Sequence, residues 1–349
     1  MCTRSGIYNL SKKVGIFFRN MDFESSISEL YGLFDKTTTV LRYFTKSPVY
    51  EIIYPFQAKF SKHTFVESGM LREVEMITDG VNTNGLYISA LWNTEAEVDT
   101  SYSQPSDCLS GLTIIQVLLG NCKDCNDVVS LLNCKKVEYW DKNTKQKTYK
   151  YIGTKRIHIP TAYIANRMTC QLAISDTLGN SYVIEFEKDE NNLAGIPVLY
   201  RDPFHNCTNA PNIIYQHTNL RSQIGAMTSQ IQNNGSILDN SITPVGYGNN
   251  WRGMTGDYTP PSRFLRALLI KSAMIKQKLP TTINEAKIIL DKVKGSVRVP
   301  YGLTSDNNKF DSTIWTIFVD LFNFEIWQEN ADEIGFTKLN CQVQKSIKF

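Results

Sequence analysis

Residues 1–23 read MCTRSGIYNLSKKVGIFFRNMDF. Apolar and β-branched residues at 6–10 and 14–18 flank the polar Ser11-Lys12-Lys13, the pattern of two strands joined by a turn. Arg19-Asn20-Met21-Asp22 extends the second strand, so the hairpin carries these four residues back beside its own start. That start is Cys2. Methionine is normally trimmed when residue 2 is small, and the trimmed chain would hold a thiol and a free α-amine on one residue. Unperturbed, the amine titrates near ~8 and the thiol near ~8.5, which makes the amine a usable general base at neutral pH. Nucleophile and base then need no separate histidine. A cysteine at position 2 means little alone; its neighbours give it weight. An arginine beside a thiol favours the thiolate, and an aspartate can hold an ammonium. As a bare pair, Arg19 and Asp22 also fit a surface ion pair.

Outward from this hairpin, strand and helix signals follow one another. Residues 49–56 and 87–92 are rich in β-branched and aromatic residues and read as strands. The second follows the turn-rich Asp79-Gly80-Val81-Asn82-Thr83-Asn84-Gly85, in which Asn82 is read as shaping the turn. Residues 112–133 read as two short helices separated by Gly120-Asn121-Cys122-Lys123-Asp124. Residues 172–175 and 182–187 flank Asp176-Thr177-Leu178-Gly179-Asn180, a hairpin signal. Phe264, Leu265, Leu268, Leu269 and Ala273 fall at helical spacing. Thr282 and Glu285 form a capping box ahead of Ala286, Ile289, Leu290 and Val293, the apolar face of a second helix. Residues 313–321 and 324–327 return to strands. This order reads as an α+β arrangement of sheets packed together and covered by helices. The polar residues 222–256 are the one long irregular stretch. With neither repeat nor linker in view, a single domain, 1–349, follows.

Composition removes several function classes. The net charge is +3, and the small cluster of Lys142, Lys145 and Lys147 reads as a solvated turn, so nucleic acid is not an expected partner. The longest apolar run, 112–119, is broken by Thr113 and Gln116 and is far too short to span a bilayer. The N-terminus lacks the apolar core of a signal peptide, and a cytoplasmic location is the expectation. Eight cysteines in such a chain are expected to be mostly free thiols. Cys122-x-x-Cys125 has only Cys134 nearby where a zinc site wants a second pair, and His63, His158, His205 and His217 show no ligand spacing. No metal and no cofactor are expected; a metal- or redox-active protein using Cys122 and Cys125 is the rival from another class.

Arg263 stands out on physical grounds. Thr259-Pro260-Pro261-Ser262 signals a helix start, with Ser262 read as N-cap. A cation in the first turn opposes the helix dipole by roughly a few tenths of a kcal/mol, so another group is expected to hold the guanidinium there.

Several stretches, in this order, are similar to the choloylglycine hydrolase family, which contains penicillin V acylases and conjugated bile acid hydrolases. They are Met1-Cys2-Thr3, Phe18-Arg19-Asn20-Met21-Asp22-Phe23, Asp79-Gly80-Val81-Asn82 with Gly85-Leu86, Thr208-Asn209-Ala210-Pro211, His217-Thr218-Asn219-Leu220-Arg221, the run from Gly256 to Phe264, and Thr313-Ile314-Trp315-Thr316. The resemblance implies a four-layer αββα fold of the N-terminal-nucleophile type, with Met1 removed. It implies Cys2 as nucleophile with its own amine as base, Arg19 and Asp22 orienting it, and Arg263 completing the cluster. The Asn209 side chain and the backbone N–H of Trp92 would form the oxyanion hole. The implied partner is a small N-acyl amide, and the implied assembly a homo-oligomer, a tetramer. At the Trp92 position bile acid hydrolases usually carry asparagine and the acylases tyrosine. Trp92 resembles the acylase side, and its indole is expected to wall the acyl pocket. The alternatives are a conjugated bile acid hydrolase, an acylase on N-acyl homoserine lactones or lipid amides, and a non-catalytic binding relative.

Overall fold

The opening hairpin forms as its pattern requires. Strands β1 (Cys2–Asn9) and β2 (Val14–Phe23) pair antiparallel with Cys2 opposite Met21 and Arg4 opposite Arg19. A single 3-10 turn, Leu10–Lys12, closes it, with Lys13 at φ 51° donating its N–H to Leu10 O. The structure is a computed structural model that describes residues 2–23, 30–36, 50–67, 70–100, 108–141, 146–158, 169–227, 255–300, 304–306, 309–330 and 337–338.

The remaining strands, in chain order, are β3 (Leu30–Phe34), β4 (Phe56–Glu67), β5 (Met70–Asn82), β6 (Tyr87–Trp92), β7 (Leu109–Ser110), β8 (Lys135–Asp141), β9 (Gln146–Ile152), β10 (Ile157–His158), β11 (Cys170–Ser175), β12 (Ser181–Glu187), β13 (Ile196–Arg201), β14 (Asn206–Thr208), β15 (Thr304–Asp306), β16 (Lys309–Asp320), β17 (Glu325–Asn330) and β18 (Thr337–Lys338). The helices are α1 (Ile114–Asn121), α2 (Cys125–Leu131), α3 (Ile213–Met227), α4 (Pro260–Gln277) and α5 (Ile283–Val297). The first sheet runs β14-β1-β2-β16-β17-β18, with β15 also on β16; the second runs β3-β4-β5-β6-β11-β12-β13-β9-β8. Neighbours in both sheets are antiparallel; parallel pairing among the described residues is confined to the small β7–β10 pair and the isolated Asp99–His158 bridge.

Period-2 alternation along each strand sorts the apolar side chains into three cores. Phe17, Val81, Tyr87, Leu91, Ala173, Val183, Ile317 and Val319 fill the space between the sheets. Ile7, Val14, Ile16, Phe18 and Phe318 face outward onto Ala267 of α4 and Ala286, Leu290 and Val293 of α5. Phe56, Phe60, Ile88, Leu172 and Ile184 face the other way onto Leu118, Leu119 and Val128 of α1 and α2. The layers are therefore helix, sheet, sheet, helix: the αββα sandwich. No described helix is long and apolar enough to cross a membrane.

The secondary structure corrects the sequence reading in five places. Residues 50–55 are irregular and only Phe56 begins a strand; Val49 lies outside the described residues. Ile53 and Tyr54 donate their N–H groups to Gly120 O at 2.8 and 2.9 Å, and Pro55 has none to offer a ladder. Asp79 to Asn82 belong to β5, leaving the turn to residues 83–85. Residues 222–227 end α3 rather than start a loop, and 228–254 lie outside the described residues, as do Lys142, Lys145 and Cys341. Helix α4 is capped at Thr259, three residues earlier than expected, so Ser262 is already helical and donates its hydroxyl to Asp257 Oδ2 at 2.8 Å. The Thr282 cap of α5 is present, its side chain accepting Glu285 N, but Glu285 reaches Thr281 N instead of closing the box.

The turn before β6 fixes the strand that borders the site. Asn82 Oδ1 accepts the N–H groups of Asn84 and Leu86 at 3.0 Å each, and its Nδ2 donates to Leu119 O and Cys122 O. Gly85 has φ +79°, and an added Cβ would sit 2.3 Å from Thr177 Cγ2 and 2.4 Å from Leu321 O. Gly85→Ala should therefore lower unfolding free energy by about 2 kcal/mol or more. Urea unfolding checks this; an unchanged midpoint would show that the turn adapts.

Candidate active site

Alternation also decides which side of the first sheet each polar residue reaches. On β1, Cys2 faces the inter-sheet core, whereas Thr3 and Ser5 meet Arg263 and Lys271 of α4. On β2, Phe17 and Met21 face inward with Arg19, while Phe18, Asn20 and Asp22 face the helices. The sheet thus divides the site into a thiol side and a side that faces α4.

On the thiol side, Arg19 Nη2 donates to Cys2 Sγ at 3.1 Å and to Ala90 O at 2.9 Å. Arg19 Nη1 pairs with Asp79 Oδ2 at 2.9 Å, and both side chains are almost wholly buried. Tyr87 Oη donates to Asp79 Oδ1 at 3.1 Å. Burial first, then the Asp79 carboxylate, push the Tyr87 phenol above its ordinary range, which keeps it a donor. Met21 Sδ lies 3.8 Å from Cys2 Sγ. Cys2 itself is 3% exposed. The nearby thiol of Cys170 is pushed up to about 12, chiefly by burial and then by Cys2, with Arg19 acting the other way.

On the side facing α4, Arg263 Nη1 donates to Asp22 Oδ2 at 2.9 Å and to Thr3 Oγ1 at 2.6 Å. Its Nη2 donates to Asn209 Oδ1 at 3.2 Å and its Nε to Tyr258 O at 2.9 Å. Asp22 is what compensates a guanidinium in the first turn of α4. Thr313 Oγ1 donates to the other Asp22 oxygen at 2.5 Å. Strand β14 pairs with β1 through Thr208 opposite Thr3, which brings Asn209 level with Cys2. Asn209 Oδ1 accepts from the Cys2 nitrogen, and its Nδ2 donates to Trp92 O at 2.7 Å.

Cys2, Arg19, Asp22, Asn209, Arg263 and the Trp92 backbone therefore meet in one cluster. Asn93 N donates to Thr169 O at 2.8 Å, so the preceding pair, Trp92 opposite Cys170, is a non-hydrogen-bonded one. The Trp92 N–H and C=O both turn away from β11, towards the side from which Asn209 takes the carbonyl. The Trp92 side chain departs from expectation. It shares its strand face with Ile88 and Ala90, which pack in the core under α1 and α2, and lies opposite Leu91. The strand does not aim the indole at the thiol; Leu91 and Met21 stand on that side.

Sequence reasoning missed Asp79, Thr3 and Thr313. Asp79 lay within a quoted stretch but was read as a turn residue. Two β-bulges hid the roles of Asp79 and Thr313. Between Asp79 and Ile77 on β5 one residue is extra, and likewise between Thr313 and Trp315 on β16. Each bulge reverses the alternation, so Ile77 packs under the helices while Asp79 reaches Arg19, and Trp315 turns inward while Thr313 reaches Asp22. Cys122 and Cys125 are fully buried in the core beneath α1 and α2, where burial raises both thiols well above their ordinary value.

The chain and its fold are similar to those of known proteins. A model of the linear amide C–N hydrolases, choloylglycine hydrolase family, matches residues 2–342. A bile salt hydrolase/transferase from Clostridium perfringens is 33% identical over 122 residues, and that match spans 34% of this chain and 34% of the relative. A mutant of the conjugated bile acid hydrolase from Clostridium perfringens superposes with a TM-score of 0.70 at 19% identity, over 97% of this chain and 92% of that one. Penicillin V acylase from Agrobacterium tumefaciens gives a TM-score of 0.66 at 18% identity, over 97% and 86%.

Removing one member of a buried ion pair costs more than the pair contributes, because the other is left uncompensated. Asp79→Ala should lower unfolding free energy by about 3–5 kcal/mol, and Asp79→Asn, which keeps an acceptor for Arg19, by less. Urea denaturation of both variants checks the order; an alanine variant as stable as wild type would show that Arg19 does not depend on Asp79.

Proposed function

The chain belongs to the choloylglycine hydrolase family of linear amide C–N hydrolases, and from that premise we propose that it cleaves a small N-acyl amide by acyl transfer to Cys2. With Met1 removed, the Cys2 nitrogen becomes an α-amine, held by Asn209 Oδ1 within the Arg263–Asp22 network. The amine takes the thiol proton. The thiolate, beside the Arg19 guanidinium, adds to the amide carbonyl carbon. The resulting oxyanion lies on the second N–H of Asn209 Nδ2 and on the Trp92 N–H. Collapse breaks the C–N bond as the ammonium returns its proton to the leaving nitrogen, giving a thioester and a free amine. Water, deprotonated by the same amine, then adds to the thioester and releases the carboxylic acid and the thiol.

The observation that carries this reading is the double use of Asn209. Its oxygen faces the amine and its nitrogen faces the Trp92 backbone, so one side chain supports both base and oxyanion. In this reading Asp22 and Arg263 fix the amine, and Arg19 fixes the sulfur. The acyl group is apolar or aromatic, since such pockets gain most of their binding energy from apolar walls such as Leu91 and Met21. A penicillin V acylase-like substrate is the leading choice; the match to a bile salt hydrolase/transferase supports bile acid conjugates as the second.

A hydrolysis panel of phenoxyacetyl amides, bile acid conjugates and acyl homoserine lactones tests the substrate class. On the best substrate, Asn209→Ala should lower kcat by about 10²–10³ with little change in KM, because its donor acts on the developing charge. An unchanged kcat would remove Asn209 from the reaction.

A further inference from the structure

Beside the cluster, a second carboxamide crosses between the sheets. Gln171 lies opposite Leu91 in the β6–β11 pairing and shares the strand face of Ala173, which lines the inter-sheet core. It is buried, and so is Asn93, the residue after Trp92. Gln171 Nε2 donates to Thr208 O at 2.6 Å and to Cys207 Sγ at 3.3 Å, and its Oε1 accepts from Asn93 Nδ2 at 2.9 Å. Asn93 Oδ1 in turn accepts Glu95 N at 2.9 Å. The two ends of this chain are backbone groups: Thr208 O can only accept and Glu95 N can only donate. The direction of every bond between them is therefore set. Neither carboxamide can turn over without facing donor to donor and acceptor to acceptor.

The bridge is anchored one residue from each half of the proposed oxyanion hole. Thr208 precedes Asn209, and Asn93 follows Trp92. Together with the bond from Asn209 Nδ2 to Trp92 O, it closes a ring. The ring runs along the chain from Thr208 to Asn209, across to Trp92, along the chain to Asn93, and back through Gln171. A lone hydrogen bond between Asn209 and Trp92 would let the two segments hinge about it, and the second link across the same gap removes that freedom.

We propose that Gln171 is the positioning residue of the oxyanion hole, fixing the Asn209 amide relative to the Trp92 N–H without touching substrate. The inference rests on the reading of those two groups as the donors to the oxyanion. Such donors act by already standing where the charge develops, and a misplacement on the order of 1 Å costs up to about a hundredfold in rate. Gln171 bonds to Thr208, Cys207 and Asn93 and not to Cys2, so its effect falls on the hole and leaves the nucleophile alone.

A double-mutant cycle on the best amide substrate separates this role from a merely structural one. Gln171→Met keeps the length and bulk of the side chain and loses the bridge. It should lower kcat by about tenfold with KM within about twofold, because the developing charge is what feels the displaced donors. In an Asn209→Ala background the same substitution should cost about twofold or less, since the donor it positions is gone. Circular dichroism and urea unfolding establish that folded variants are compared. Should Gln171→Met fail to fold, Asn93→Ala cuts the bridge at its other end and should show the same pattern. A wild-type kcat in folded Gln171→Met, a loss confined to KM, or an equal loss with and without Asn209 would overturn the inference while leaving the hole standing. Asn209→Ala with a wild-type kcat would instead bring down the hole, and the inference with it.

Discussion

A single carboxamide ties the two sheets together where the chemistry is proposed. Asn209 Oδ1 accepts from the Cys2 nitrogen and from Arg263, which forces its Nδ2 towards the Trp92 carbonyl on the facing sheet. The amide cannot flip without presenting a donor to two donors and an acceptor to an acceptor. Its orientation is thus set by the chain around it. The register of β14 on β1, Thr208 opposite Thr3, is what carries Asn209 to that place. Strand pairing, the helix that presents Arg263 and the turn that aims β6 all serve this one position.

The two arginines occupy opposite faces of the first sheet, and each is buried with its own carboxylate: Arg19 with Asp79, Arg263 with Asp22. Buried ion pairs contribute little net stability, but each leaves a fixed, dry guanidinium with an N–H to direct at a chosen atom. Arg19 directs one at sulfur and Arg263 one at the Asn209 oxygen. The sheet between them lets the thiol and the nitrogen of one residue be held by separate networks.

Much of this was legible in the sequence. The hairpin that places Arg19 beside Cys2 follows from residues 6–18 alone, because the turn and the alternation leave one register that buries Phe17 and Phe18 on opposite faces. The awkward placement of Arg263 against a helix dipole pointed to some other group holding the guanidinium, without saying which; in the structure that group is Asp22. Asp79 and Thr313 were not legible, since each is turned into place by a one-residue bulge that periodicity cannot reveal.

The central claim is that Cys2, freed from Met1, carries the acyl group. Rapid acid quench of the enzyme during turnover of its best amide, followed by intact-mass and peptide mass spectrometry, tests this directly. The account predicts an acyl adduct on a chain lacking one methionine, with the adduct in the N-terminal peptide and on residue 2. An acyl group on another thiol such as Cys170, or steady turnover by a chain that still carries Met1, would contradict it.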